Sequence, residues 1–158
     1  MNSTDLYDIK VDTEINSDSK KEPLKLKFYF ESIGSKNVVK AIEYSCLGFS
    51  FYKKPVYNLG FGDYDHSTNN IRDTSISNNG DVYKVFNTVL STAPLFFELV
   101  SNGLIFVKGS DSNPKYFKDC ITTCHKKCTE KCKNIDRRIS IYRRFINKHY
   151  TYLSNICV

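Results

Sequence analysis

Four cysteines recur at every fourth position, Cys120, Cys124, Cys128 and Cys132, with His125 beside the second. Thiolates are soft metal ligands, and zinc is the metal that such a set would suit. On one helix, steps of four residues drift by about 40° each, so the sulfurs would form one slowly winding stripe. Neighbouring pairs could chelate a soft metal, but one straight helix cannot wrap all four around a tetrahedral ion. A full site would need a second chain, a broken helix or a further ligand such as His149 or Cys157. Structural zinc sites set two close pairs across a long gap, which this row lacks. Cysteine is also a small hydrophobe, so the row equally describes the buried face of a helix. Redox or disulfide chemistry is a third reading. No cofactor is favoured, and zinc stays open.

Two other clusters carry polar chemistry. Asp63 and Asp65 flank Tyr64 next to His66. Paired carboxylates beside a histidine suit acid–base or metal work. In a turn between strands they are more simply solvated or bonded to local backbone. Asn78, Asn79, Gly80 and Asp81 lead into a periodic apolar segment. A glycine-containing entry to a helix can present N–H groups to a phosphate. Side-chain capping of the first turn explains the same four residues more cheaply. No Ser-His-Asp or Cys-His arrangement can be placed, and the three histidines lack a metalloenzyme spacing.

Charge is unevenly spread. Residues 1–23 hold three bases and six acids, whereas residues 115–149 hold eleven bases and three acids. The basic segment includes Lys126, Lys127, Arg137, Arg138, Arg144 and Lys148, interleaved with Tyr142, Tyr150 and Tyr152. Such a surface attracts phosphate backbones, and aromatics can stack on unpaired bases. No helix-turn-helix, RNA-recognition or zinc-finger motif accompanies it. A solvated helical surface explains the charge as well.

The elements that must position these groups follow from hydrophobic periodicity. Residues 1–23 read as an acidic arm, mobile or pairing at a sheet edge. Leu24–Ile33 alternates, with Leu24, Leu26, Phe28 and Phe30 on one face. Gly34-Ser35-Lys36-Asn37 is turn chemistry, and Val38–Leu47 alternates again, predicting an antiparallel hairpin. Gly48–Tyr52 and Val56–Phe61 read as a third extended region, bent or placed at an edge by Pro55. Gly62-Asp63-Tyr64-Asp65 follows, then a polar loop to Asn70 and a short strand over 71–76. Val82, Val85, Phe86, Val89, Ala93 and Phe96 keep helical spacing, and Pro94 should kink or split that helix near Ser91. Leu104–Val107 reads as a central strand. Residues 115–134 and 137–154 read as helices, the second with a stripe of Ile139, Tyr142, Ile146, Tyr150 and Leu153. The expected class is α+β: a small, mainly antiparallel sheet with helices packed on it, in the order strands, helix, strand, helix, helix. Residues 24–158 form one domain in this reading.

With 41% apolar residues, 11 Tyr, 11 Phe and no Trp, the 158-residue chain can bury a core of its own. No stretch reaches the about 20 apolar residues that span a bilayer, so no membrane partner is expected. The polar first 23 residues do not read as a secretory signal, and the expected compartment is the cytoplasm.

Gly62-Asp63-Tyr64-Asp65, Ser77-Asn78-Asn79-Gly80-Asp81, Lys84–Val89 and Phe106-Val107-Lys108-Gly109-Ser110 together resemble a family of short bacterial proteins known only as a domain of unknown function. In that family an Arg-rich helix follows the Lys-Gly-Ser strand end, and Arg138–Arg143 resembles it here. The resemblance marks Lys108, Ser110, Arg138 and Tyr142 as candidate binding positions. It makes residues 111–136, with their four cysteines, an insertion, and it brings no mechanism. The strand, loop, helix, strand and Tyr142-bearing helix also resemble the acyl-CoA-binding half of the Gcn5-related acetyltransferases. One glycine of that family's loop is present, and Asp81 would repel the phosphates.

The expected function is a non-enzymatic binding or regulatory module with an anionic or protein partner. Alternatives are an acetyltransferase-like enzyme using acyl-CoA and a nucleic-acid binder using the basic helices. For the cysteines, the expected outcome is slow reaction with a thiol reagent in the native state and no change on adding zinc. Metal analysis of protein purified under reducing conditions checks this; about one zinc per chain or per pair of chains would make the sulfurs ligands.

Overall fold

The computed structural model describes residues 5–14, 23–72, 79–112, 118, 120, 128, 133 and 135–155. The chain forms two compact units, Met1–Phe106 and Val107–Val158. The class is α+β, with a mainly antiparallel sheet.

The first unit is a meander. Strands β1 (Lys10–Glu14), β2 (Lys25–Ser32), β3 (Val38–Phe51), β4 (Lys54–Asp65) and β5 (Asn70–Arg72) lie side by side in chain order. Each pairs antiparallel with the next. The register puts Leu26 opposite Tyr44 and Phe28 opposite Ile42. It also puts Tyr44 opposite Leu59 and Ile42 opposite Phe61. Alternation thereby sends one apolar set to one face, as the period of two requires. Leu26, Phe28 and Phe30 are buried as expected; Leu24, just before β2, is exposed.

Helix α1 (Val82–Leu99) covers that face. Val85, Val89, Phe96 and, beyond its end, Val100 join Tyr7, Leu26, Phe28, Ile42, Tyr44 and Tyr57 in the core. Phe96 stacks on Tyr44 with centroids 4.6 Å apart and meets Tyr57 edge-on at 5.1 Å. Phe86 and Phe97 are half-buried rather than fully enclosed. Thr88 and Thr92, which the apolar periodicity did not mark, are fully buried on the inner face. Thr92 Oγ1 donates to the Val89 carbonyl at 2.7 Å and lies 2.8 Å from the Tyr44 hydroxyl. Burial pushes the Tyr44 phenol up to about 12.

Several expectations change. Tyr52 and Lys53, with φ of 50° and 63°, turn the chain between β3 and β4, so residues 48–61 are two strands of a hairpin, not one extended region. Asparagine and glycine, the usual residues of such a turn, are absent, which hid it from the sequence. Pro55 sits near the start of β4 opposite Ser50, beyond a register shift between Cys46 and Ser50. Gly62–Asp65 belongs to β4 rather than to a turn between strands. Pro94 lies inside α1, which runs unbroken past it. Core packing on both sides of the proline outweighs its missing donor. Strand β6 (Leu104–Val107) pairs with β4 off the main path and leaves Phe106 exposed, so it is not central. Of the strand expected over 71–76, residues 73–76 lie outside the described residues.

In the second unit a short 3₁₀ turn, Ser110–Ser112, precedes α2 (Arg137–Lys148) and α3 (Tyr150–Ser154). The single helix expected over 137–154 divides at His149, and its buried side chain is Phe145. Ile146 and Tyr150, expected on the buried stripe, are exposed. Of residues 115–134, Lys118 and Cys120 are helical and Cys128 and Lys133 are not; the rest of the helix expected there lies outside the described residues.

The Tyr44–Thr92 pair yields an asymmetric prediction. Thr92→Val leaves a buried phenol without its partner and should cost about 1–3 kcal/mol. Tyr44→Phe should cost less, about 0.5–1.5 kcal/mol, because Thr92 keeps its bond to Val89. Urea unfolding of both variants measures the difference.

Candidate functional site at the entrance of the first helix

The carboxylates singled out in the sequence come to the helix-side face of the sheet. Strand pairing sets Lys40 opposite Asp63 and Asp63 opposite Arg72. Lys40 is 8% exposed, and its ammonium donates to Asp63 Oδ1 at 2.5 Å. Asp65, two residues on and on the same face, forms an ion pair with Arg72. Its Oδ1 also accepts from the Ser67 N–H at 2.9 Å and the Ser67 hydroxyl at 2.6 Å. The two Ser67 bonds, with Arg72 adding charge, hold the Asp65 carboxyl down at about 2.

Asp81 does not cap α1 with its side chain. It gives the helix its backbone carbonyl, which accepts from the Val85 N–H at 2.9 Å. The carboxylate turns to the sheet and accepts from the Tyr7 hydroxyl at 2.8 Å and the Ser32 hydroxyl at 2.6 Å. Hydroxyl partners at this distance outcompete an exposed first-turn N–H that water can serve. Burial works against the charge. The two hydroxyl bonds and the Lys40 charge outweigh it, and the carboxyl titrates below its ordinary range. Burial and the same Asp81 bond raise the Tyr7 phenol.

Asn79 extends the network. Its amide donates to Ser32 Oγ at 2.9 Å and to the Lys36 carbonyl at 2.8 Å, while its Oδ1 accepts from the Lys36 N–H at 3.3 Å. A Cβ at Gly34 would lie 2.7 Å from that of Asn79, so the β2–β3 turn can close on Asn79 only with glycine there. Gly80 takes a positive φ of 73° between Asn79 and Asp81. Asn78 lies outside the described residues.

Tyr7 closes the group from the N-terminal segment. Its N–H donates to Thr88 Oγ1 at 3.0 Å, its ring stacks on Phe30 at 5.5 Å, and Lys84 Nζ sits 4.2 Å from the ring centre. The sequence reading missed Tyr7, Ser32, Lys40 and Arg72. Lys40 carried a usable signal: a lysine on the face that alternation assigns to the core needs a carboxylate opposite.

The remaining candidates belong to the second unit. Lys108 is exposed, and Ser110 opens the 3₁₀ turn. Asp111, 3% exposed, accepts the Arg138 N–H on Oδ2 at 2.8 Å and so anchors the first turn of α2. Asp136, at the N-cap position, is left-handed and makes no side-chain cap. Tyr142 is half-buried. Cys120 is buried and Cys128 half-buried, with Cys128 Sγ accepting from the Lys133 N–H at 3.3 Å; Cys124 and Cys132 lie outside the described residues. Among the described residues no group of three or more His, Cys, Asp or Glu side chains could hold a metal ion. No helix among them is long and apolar enough to cross a membrane.

Residues 13–135 match the family of unknown function DUF6934. The chain belongs to that family. The DUF6934 match takes in Asp63, Asp81 and the cysteine-bearing segment, and it ends before α2 with Arg138 and Tyr142. No curated protein and no solved structure matches the chain.

The titration of the network has a definite sign. Asp81, with a lowered folded pKa, adds stability above its ordinary value near about 4 that is lost as pH falls through the folded value. Tyr7, with a raised one, adds stability below about 10 that is lost as pH rises through its folded value. Asp81→Asn should therefore destabilise the fold at neutral pH, and the gap from wild type should close as pH falls below the ordinary carboxylate value of about 4. Thermal unfolding across that range checks it.

Proposed function

We propose that the chain is a non-enzymatic binding or regulatory module whose anionic partner docks on the basic face of α2. One observation carries this reading: Arg137, Arg144 and Lys148 share an exposed face of α2, with Arg143 exposed beside them. Their spacing of seven and four residues keeps them in line along the helix. No acidic residue occurs from Arg137 to Ser154, so the face carries one sign of charge.

The carboxylates of the first unit support the non-enzymatic side. Asp63 is bonded to Lys40, Asp65 to Ser67 and Arg72, and Asp81 to Tyr7 and Ser32. A general acid needs a raised pKa, and Asp65 and Asp81 are lowered instead. An acyl-CoA pyrophosphate at the entrance of α1 would meet the Asp81 carboxylate, which weighs against the acetyltransferase alternative.

Tyr150, 67% exposed, and the exposed Tyr152 favour a second reading. Aromatics in water beside a basic helix suit single-stranded nucleic acid, where each base stacked is worth about 1–3 kcal/mol.

Heparin chromatography tests the basic face. The full chain should be retained, and Arg137→Glu/Arg144→Glu should elute at clearly lower salt; equal elution would remove α2 from the reading. A single-stranded oligonucleotide then separates the partners. Loss of about tenfold or more in affinity on Tyr150→Ala, with a salt slope reduced in the Arg variant, selects nucleic acid. A thermal shift with acetyl-CoA would restore the enzyme alternative.

A further inference from the structure

The β3–β4 hairpin runs past the end of β2. The last β2–β3 partners are Lys25 and Ser45, followed by a bond from the Cys46 N–H to the Leu24 carbonyl at 2.9 Å. Beyond that point every residue from 47 to 54 is exposed. Four are large and apolar: Leu47, Phe49, Phe51 and Tyr52, the last 85% exposed. Single exposed hydrophobes are ordinary, but a contiguous group marks a surface that binds something.

Two further observations say what. Tyr52 and Lys53 occupy left-handed positions that asparagine and glycine fill with less strain, so the apex places those side chains outward at a steric cost. From Tyr44 to Gly62 the chain has no acidic residue, and Lys53 and Lys54 adjoin the aromatics. The tip is apolar at its point and purely cationic in charge.

We propose that this hairpin tip docks on an anionic lipid bilayer. Phenylalanine and tyrosine rings settle at headgroup depth, where tyrosine keeps its hydroxyl wet. Lys53 and Lys54 remain at the phosphates of a negatively charged leaflet. Size separates this occupant from a protein. A stable protein interface takes roughly 20–30 residues from each side, whereas shallow seating in a bilayer needs only a few. The contact is shallow because, among the described residues, no strand pairs with β3 on its β2 side past Cys46, and those backbone groups must stay hydrated. The expectation of no membrane partner rests on the lack of an apolar span, which a peripheral tip does not need.

The chain has no tryptophan, so Tyr52→Trp supplies a single indole at the apex. The full chain carrying it is mixed with vesicles of phosphatidylcholine, alone or with phosphatidylserine. The expected result is co-sedimentation and a blue-shifted emission with phosphatidylserine only. Phe49→Ser/Phe51→Ser should weaken partitioning about tenfold or more, and Lys53→Ala/Lys54→Ala should do likewise and erase the lipid preference. Unchanged melting confirms that these exposed positions leave the fold intact. Three results would overturn the proposal: no binding to either vesicle, binding without an emission shift (contact through another basic surface such as α2), or a shift that grows with protein concentration without lipid (self-association).

Discussion

One carboxylate joins the parts of the first unit. Asp81 stands where α1 begins, and its two hydroxyl partners come from segments remote in sequence, Tyr7 before β1 and Ser32 at the end of β2. Ser32 in turn accepts from Asn79, which fastens the β2–β3 turn. Four segments therefore meet at a partly buried charge, and a charge so placed must be fully bonded or it destabilises the fold. The Lys40 charge, itself paired with Asp63, adds to the stabilisation of that carboxylate.

The opposite end of α1 is packed into the aromatic core. Phe96 lies between Tyr44 and Tyr57, fully buried, and Val100 closes the helix beside it. The helix thus combines directional bonds at its entrance with aromatic packing toward its end. Between them Thr88 and Thr92 satisfy their hydroxyls on the helix's own carbonyls, which lets polar residues line a buried face.

Much of the sheet was legible because alternation is a strong signal. Leu26, Phe28 and Phe30 are buried where the period of two places them, and Val85, Val89 and Phe96 where the helical period does. The hairpin turn at Tyr52-Lys53 was not, since neither residue is a turn former. The Asn-Gly-Asp cluster was recognised as the approach to a helix, but its bonds go to Tyr7, Ser32 and Lys36, partners that only the tertiary fold supplies. The same holds in the second unit. The Lys-Gly-Ser run was visible as a motif, while the residue that engages α2 is Asp111, one position beyond it.

Gly62 shows how a motif can be mistaken for chemistry. It precedes Asp63 in the Gly-Asp-Tyr-Asp run that helps carry the family resemblance. Yet a Cβ at Gly62 would lie 2.4 Å from the carbonyl oxygen of Arg72 across the β4–β5 pairing. The atom that cannot move is backbone, so no rotamer change relieves the clash. Position 62 has one viable occupant for as long as β5 folds back onto β4. Relatives that keep this glycine would be recording a steric exclusion, and their agreement would say nothing about a ligand.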